Sequence, residues 1–298
     1  MIDTIILGTI ALDSIETPSG KVTDALGGSA AYAAYACSFF TKPGVISIIG
    51  EDFPKNHWQL LEKQMDLTGV EKKGKTFRWS GLYEHNLNTA KTLRTELNCL
   101  TELKPKLSQE YRKAKYVFLG NTDPEIQLAV FKQLDDPELV VLDSMNLWIQ
   151  NKKTELLEMI GKTDVLLLNH DEACQLFETT SLVNAAQKAL SLGPTAIVIK
   201  KGEHGSLLFT KDKHFSASAY PLELVKDPTG CGDCFGGAFV GYLAKTKDTS
   251  EKNMRKAIIY GSVIASFNAE DFSIYEMQKL SQNEIQKRYE EIKEMKTF

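Results

Sequence analysis

Short apolar runs, each ended by a small or polar residue, recur along the chain. Thr4–Leu7 stops at Gly8, and Val45–Ile49 stops at Gly50-Glu51-Asp52. Tyr116–Leu119 leads to Gly120-Asn121, Leu139–Leu142 to Asp143, Asp164–Leu168 to Asn169, and Ala196–Ile199 to Lys200-Lys201-Gly202. Runs this short and this continuously apolar are expected of strands buried on both faces. Between them the spacing turns helical, over His57–Met65, Pro124–Leu134, a stretch from near Trp148, and Glu172–Phe177. Repeated strand–helix units predict a mostly parallel central sheet covered on both sides, a three-layer α/β/α sandwich. Such sheets bind ligands at the carboxyl ends of their strands. The polar residues at those ends are Asn121, Asp143, Asn169 and Lys201.

Two regions depart from this rhythm. From Val70 to Leu100, Thr76–Tyr83 mixes β-branched and aromatic residues with polar ones, and Lys91–Leu97 alternates as a half-buried strand does. These segments predict antiparallel, partly exposed strands. We read them as a small β-sheet lid on a single domain spanning 1–298, built from roughly 11–23 and 70–100; an ordinary surface hairpin fits the same pattern. Arg78 and Asn88 are its polar groups of interest. Near the end, Glu251–Phe267 and the charged, amphipathic Gln282–Glu294 read as helices.

Composition narrows the function classes. A net charge of −4 leaves no broad basic surface for nucleic acid or anionic lipid. Five scattered cysteines, at 37, 99, 174, 231 and 234, argue against a disulfide framework. The first apolar run has no basic segment before it and reads as a strand, not a signal. The most apolar long stretch, Ala25–Phe40, is too short to span a bilayer. A soluble, cytoplasmic protein is expected.

The densest chemistry lies at Asp227-Pro-Thr-Gly-Cys-Gly-Asp233, between an expected strand at Leu222–Val225 and a helix of small apolar residues. Gly230 and Gly232 let the backbone turn sharply and approach a ligand. The first turn of a helix offers free N–H groups and the positive dipole end, which suits phosphate. A carboxylate there repels phosphate, so Asp233 makes sense as the base that deprotonates an attacking hydroxyl. Asp at a helix start is also an ordinary N-cap, and on spacing alone the two readings stand level. A dinucleotide turn would set Asp233 against the pyrophosphate, and no Gly-Lys-Ser/Thr follows for a Walker loop. Cys231-Gly-Asp-Cys234 also has the form of a redox or metal pair, with a helix start that lowers a thiol pKa. Without a second pair it is no tetrahedral zinc site, and we read the pair as incidental. A low-pKa Cys231 beside the base would nonetheless make the protein oxidation-sensitive.

The string Asp227–Asp233 resembles the Asp-Thr-x-Gly-Ala-Gly-Asp signature of the ribokinase-like (PfkB-type) carbohydrate kinases, with Pro228 for Thr and Cys231 for Ala. The resemblance extends to Gly27-Gly28, where the family usually has Asn at the position of Tyr32, to Asn169-x-x-Glu172, which also reads as a capping box, and to Lys201-Gly202. It implies a ribokinase-like fold with a lid that is often a homodimer clasp. It further implies Asp233 as catalytic base and Gly230, Cys231 and Gly232 as the anion hole. Asp13, Gly27, Gly28 and Tyr32 would then bind the acceptor. Asn169, Lys201, Gly202, Asp227, Thr229 and Asn268 would lie on the nucleotide and cofactor side, with Ser273 a further candidate there, and Glu172 would organise Mg²⁺. The cofactors would be ATP and Mg²⁺, with a monovalent cation in some members. The expected activity is phosphoryl transfer to a sugar or related polyol. Tyr32 and the aromatic lid favour a nucleoside kinase as the alternative, and a non-catalytic sugar- or nucleotide-binding protein is a third reading.

Overall fold

The apolar runs form the middle of a nine-stranded sheet. In the computed structural model, which describes residues 2–84 and 86–295, the strands in chain order are β1 (Thr4–Leu7), β2 (Ala11–Thr17), β3 (Gly20–Gly27), β4 (Gly44–Ile49), β5 (Asp66–Lys72), β6 (Phe77–Leu82), β7 (Lys91–Glu96), β8 (Tyr116–Leu119), β9 (Leu139–Asp143), β10 (Val165–Asn169), β11 (Ala196–Lys200), β12 (Ser206–Thr210) and β13 (His214–Ala217). The large sheet runs β13-β12-β11-β10-β9-β8-β1-β4-β5. Pairing is parallel from β5 through β11, and β12 and β13 then continue the edge antiparallel.

Side-chain alternation splits the core into two layers. Tyr116, Phe118, Leu139, Val141, Val165, Leu167, Ala196 and Val198 pack with helices Ser29–Ser38, Cys231–Thr246 and Glu251–Asn268. Their neighbours Val117, Leu119, Val140, Leu142, Leu166, Leu168, Ile197 and Ile199 pack with helices Lys153–Ile160, His170–Phe177 and Leu182–Leu190. Each central strand is therefore buried on both faces, which is why its run is apolar without a break.

A second sheet, β3-β2-β6-β7, stands apart from the first. Its strands are not all antiparallel as expected, because the central pair β2–β6 is parallel. Both of these strands follow parallel strands of the main sheet, β1 and β5, so both leave it from the carboxyl ends of its strands and in the same direction. Asp66–Lys72 belongs to the main sheet and β3 extends to Gly27, so the lid strands begin at Phe77 on one side and end past 23 on the other. No strand forms over Leu222–Val225. The sheet already ends at β13, and Leu224 stands 64% exposed.

Several contacts hold the lid against the large layer. Asp52, after β4, accepts from the Thr76 N–H at 2.7 Å and pairs with Arg78 at 3.3 Å; Arg78 also pairs with Asp24 on β3. Thr17 Oγ1 donates to the Lys226 carbonyl at 2.8 Å, and Phe272 packs among Ile15, Tyr83 and Trp79. Among the described residues no helix is long and apolar enough to cross a membrane.

Candidate active site

The glycine-rich turn is shaped from below by Tyr32. Gly230 takes φ +75°, and a Cβ there would lie 2.4 Å from the Tyr32 ring. Only glycine fits both the backbone and the space. Tyr32 is 1% exposed, so its ring is the floor under the turn, and its hydroxyl has no hydrogen-bond partner among the described residues. The turn also changes the expected anion hole. The Cys231 N–H donates to the Pro228 carbonyl at 3.2 Å and is used up in closing the turn. The amides of Gly232 and Asp233 follow in the first helical turn, where no helical acceptor exists for them.

The Cys231 thiol is not acidic. It donates to the Ala265 carbonyl at 3.4 Å and accepts from Asn268 Nδ2 at 3.5 Å. Burial pushes its pKa up to about 12. The expectation of a low-pKa thiol fails because desolvation outweighs the helix-start effect. Cys234, fully buried, is pushed up as well, and both cysteines are free thiols.

Asp233 sits in the first turn of the Cys231–Thr246 helix and keeps part of its surface. Burial raises its pKa to about 7, Asp143 adds to the rise, and Lys200 opposes it. Asp143, at the end of β9, is 3% exposed and accepts from Lys200 Nζ at 2.6 Å. Glu172 is 8% exposed, and burial raises its pKa against the pull of Lys200. Asn169 and Glu172 form a complete capping box. Glu172 Oε2 accepts from the Asn169 N–H at 2.7 Å, and Asn169 Oδ1 accepts from the Glu172 N–H at 2.8 Å.

On the acceptor side, Asp13 on β2 is 4% exposed. Burial raises its pKa to about 8; the Gly28 N–H bond opposes this, while Asp227 and Asp233 add to it. A Cβ on Gly27 would fall 1.8 Å from Asp13 Oδ2, so the double glycine is what admits this carboxyl. Asp13 thus touches Gly27 and Gly28, and Asp233 is near enough to act on its charge.

Asp227, Thr229 and Asn268 form a support behind the turn. Thr229 N–H donates to Asp227 Oδ1 at 2.9 Å, and Asn268 Nδ2 donates to the Thr229 carbonyl at 2.8 Å. Thr229 Oγ1 also bonds the lid residue Tyr83 at 3.2 Å. Asp227 Oδ2 and Asn268 Oδ1 are buried without partners among the described residues, and burial lifts Asp227 to about 6. Such oxygens suit a small cation. Ser273 donates to the Leu26 carbonyl at 2.5 Å and ties this region to the double glycine.

The turn at Lys201-Gly202 sits beside a second lysine. The Lys201 N–H donates to the Gly205 carbonyl at 2.7 Å and closes the turn between β11 and β12. Lys200, not Lys201, reaches the carboxylates. Gly202, at φ +55°, lies close to the lid, where Asn88 Oδ1 stands 2.7 Å from the position of a Cβ on Gly202. Asn121 turns away to the other layer, accepting from Trp148 Nε1 at 2.9 Å.

Among the described residues no set of three His, Cys, Asp or Glu side chains forms a metal cage. Mg²⁺ needs none, because it keeps several waters and takes one or two carboxylates plus substrate phosphates. The site has that character. Asp143, Glu172 and Asp233 surround Lys200, giving an excess of negative charge when all are ionised. Glu172 fits as the protein's contact to the ion or its waters.

The sequence profile described as pfkB family carbohydrate kinase matches residues 18–279. The chain is 27% identical to the cytidine kinase of Thermococcus kodakarensis, over 84% of this chain and 92% of that protein. Its fold is similar to the crystal structure of the Methanocaldococcus jannaschii nucleoside kinase, with a TM-score of 0.78 at 22% identity, covering 97% of this chain and 99% of that one. It is similar also to the Burkholderia thailandensis nucleoside kinase in complex with ADP-inosine, with a TM-score of 0.79 at 17% identity, covering 97% and 95%.

Proposed function

Because the chain belongs to the pfkB family of carbohydrate kinases, we propose that it is an ATP-dependent nucleoside kinase acting on a hydroxymethyl group of the nucleoside's sugar. The similarity to the archaeal cytidine kinase carries the choice of nucleoside over free sugar, because it runs through 92% of that protein and 84% of this chain. A free sugar or polyol is the second reading. It is favoured by Asp13, whose carboxylate can accept two hydroxyl hydrogen bonds; the ribose of a nucleoside offers the same pair.

In this reading Asp13 accepts the acceptor's sugar hydroxyls and aligns it toward the turn. Asp233 takes the proton from the attacking hydroxyl, and its elevated pKa suits that task near neutral pH. The Gly232 and Asp233 amides donate to the transferring phosphoryl oxygens, where charge is greatest in the transition state. Glu172 would hold Mg²⁺ or its waters, and the ion when bound would neutralise charge on the phosphates. Asp227 and Asn268 hold the turn in place, and they are the residues that would meet a monovalent cation. Lid contacts from Tyr83 and Asn88 exclude water and so limit ATP hydrolysis.

The test is ADP release with Mg-ATP against cytidine, other nucleosides, sugars and polyols, with Asp233→Asn alongside. Turnover of cytidine or another nucleoside, reduced ~10²–10⁴-fold in the variant, is expected. Turnover of sugars alone would move the assignment to the second reading. Full activity in Asp233→Asn would remove Asp233 as the base.

A further inference from the structure

Lys200 reaches across the end of β10. It ends β11, yet its ammonium lies 2.6 Å from Asp143 Oδ2 at the end of β9, with β10 between the two strands. Its direction follows from alternation, since Ala196 and Val198 point to the layer of the Cys231–Thr246 helix, and Lys200 is next in that row. There the ammonium stands 3.2 Å from the position of a Cβ on Gly232. It is therefore beside an amide that the turn leaves without a helical acceptor.

A lysine–aspartate pair of this kind has an ordinary use in tying strands together. Two features set this one apart. The pair sits at the carboxyl ends of the strands, where ligands bind, and the Lys200 side chain keeps 15% of its surface open there. An ammonium also has three donors, and Asp143 is its hydrogen-bond partner among the described residues. Burial alone would lower the Lys200 pKa, but Asp143, Glu172 and Asp233 raise it above its usual value. The ammonium is a fixed, charged donor with hydrogen-bonding capacity to spare.

We propose that Lys200 is a catalytic residue, whose ammonium binds non-bridging oxygens of the transferring phosphoryl group beside the Gly232 amide, and that Asp143 is the positioning residue that aims it. This rests on the kinase reading. In the step, the acceptor hydroxyl gives its proton to Asp233 and its oxygen bonds to the γ-phosphorus. The bond from that phosphorus to the β–γ bridging oxygen breaks, and the electron pair leaves on ADP. Lys200 keeps its protons throughout and follows the charge on the equatorial oxygens. Its contact is stronger in the transition state than in bound ATP, so its loss falls on kcat.

The experiment uses the full chain with Mg-ATP and cytidine, or whichever acceptor of the panel the wild type uses best. Lys200→Met is expected to lower kcat ~10²–10³-fold, the usual loss for one donor to a developing anion, with the acceptor KM within about threefold. Lys200→Ala is expected to regain rate on adding ethylamine, with saturation, which a strand-tying role would not produce. Asp143→Asn is expected to lower kcat with less effect on KM. Should Lys200→Met not fold, Lys200→Met/Asp143→Leu removes both charges without leaving one orphaned, and the same loss in kcat is expected. A wild type active on cytidine with either Met variant within threefold of its kcat overturns this proposal alone. A wild type inert on every acceptor overturns the kinase reading beneath it.

Discussion

Replacing Asp13 by Asn is expected to stabilise the fold while removing acceptor use, and the gain in stability should grow with pH. Asp13 is 4% exposed, with Gly27 against it and Asp227 and Asp233 facing it. Burial lifts its pKa from 3.8 to about 8 in the folded chain. In the unfolded chain it titrates near its ordinary value, about 3.9. Between those two values the folded state binds a proton that the unfolded state does not, so stability falls as pH rises. Below about pH 4 the group costs nothing, and above about pH 8 the full cost of the buried charge is reached. At about 1.36 kcal/mol per pKa unit, the cost is roughly 1.5 kcal/mol at pH 5 and on the order of 5 kcal/mol at pH 9. Asparagine carries no charge at either pH, and its amide oxygen can still accept from the Gly28 N–H. The variant's advantage should therefore increase by about 4 kcal/mol from pH 5 to pH 9. For a chain of this size that is a gain in Tm on the order of 8 °C. Thermal unfolding of both ligand-free proteins at pH 5, 7 and 9 reads this directly. An advantage that stays level with pH, or an Asn variant less stable at pH 9, would refute the reasoning. Acceptor use is read separately, as a rise of at least ~10²-fold in the cytidine KM or loss of turnover, since the carboxylate's paired acceptors are gone.

Three further outcomes follow from the same geometry. The value of kcat/KM should rise steeply below pH 7, continue to rise about tenfold per unit to about pH 8 and then level off, because Asp233 must lose a proton held to about 7 and Asp13 one held to about 8 before its carboxylate accepts the sugar hydroxyls; a flat profile from pH 6 to 8 would take both protons out of the mechanism. Gly230→Ala should cost at least ~2 kcal/mol and most activity, because φ is +75° and the Tyr32 ring fills the Cβ position; unfolding in urea measures the first and turnover the second, and wild-type behaviour in both would mean the turn is looser than described. Cys231 should resist peroxide at pH 7.5, since a thiol with a pKa of about 12 is scarcely ionised; peptide mass spectrometry showing Cys231 oxidised before Cys174, a thiol of the same intermediate exposure that burial raises less, would contradict this.

The layered fold is readable in the sequence because burial on both faces leaves short unbroken apolar runs, and their length and the small or polar residues that end them mark them as strands. Thr4–Leu7 and Tyr116–Leu119 appear as strands at the residues where the apolar runs place them. The lid is readable less well, because half-exposed strands carry mixed residues and their pairing depends on where the chain leaves the main sheet. Nothing within Ala11–Thr17 or Phe77–Leu82 announces that those two strands run parallel. The expected strand at Leu222–Val225 shows the opposite error. Its residues have strand-like side chains, but they pair with no strand of either sheet.

The site residues divide in the same way, between those set by local chemistry and those set by position. Gly230, Asp233 and the Asn169–Glu172 box stand out because turns and helix starts demand particular residues at fixed offsets. Lys200 does not stand out from Lys201 by type, motif or neighbours, and only the sheet's alternation separates them. Along one layer the rows read Leu139, Val141, Asp143; Val165, Leu167, Asn169; and Ala196, Val198, Lys200. Asp143 and Lys200 end two of these rows beside the Cys231–Thr246 helix start, while Asn169 ends the third as the cap of the His170–Phe177 helix. The opposite rows, ending at Leu142, Leu168 and Ile199, enter the other layer, and Lys201 follows them. Counting by two from the buried residues of a strand therefore selects the side chain that enters the cleft. The count fails only where the strand's own buried face is unknown, and here the packing of Ala196 and Val198 supplies it.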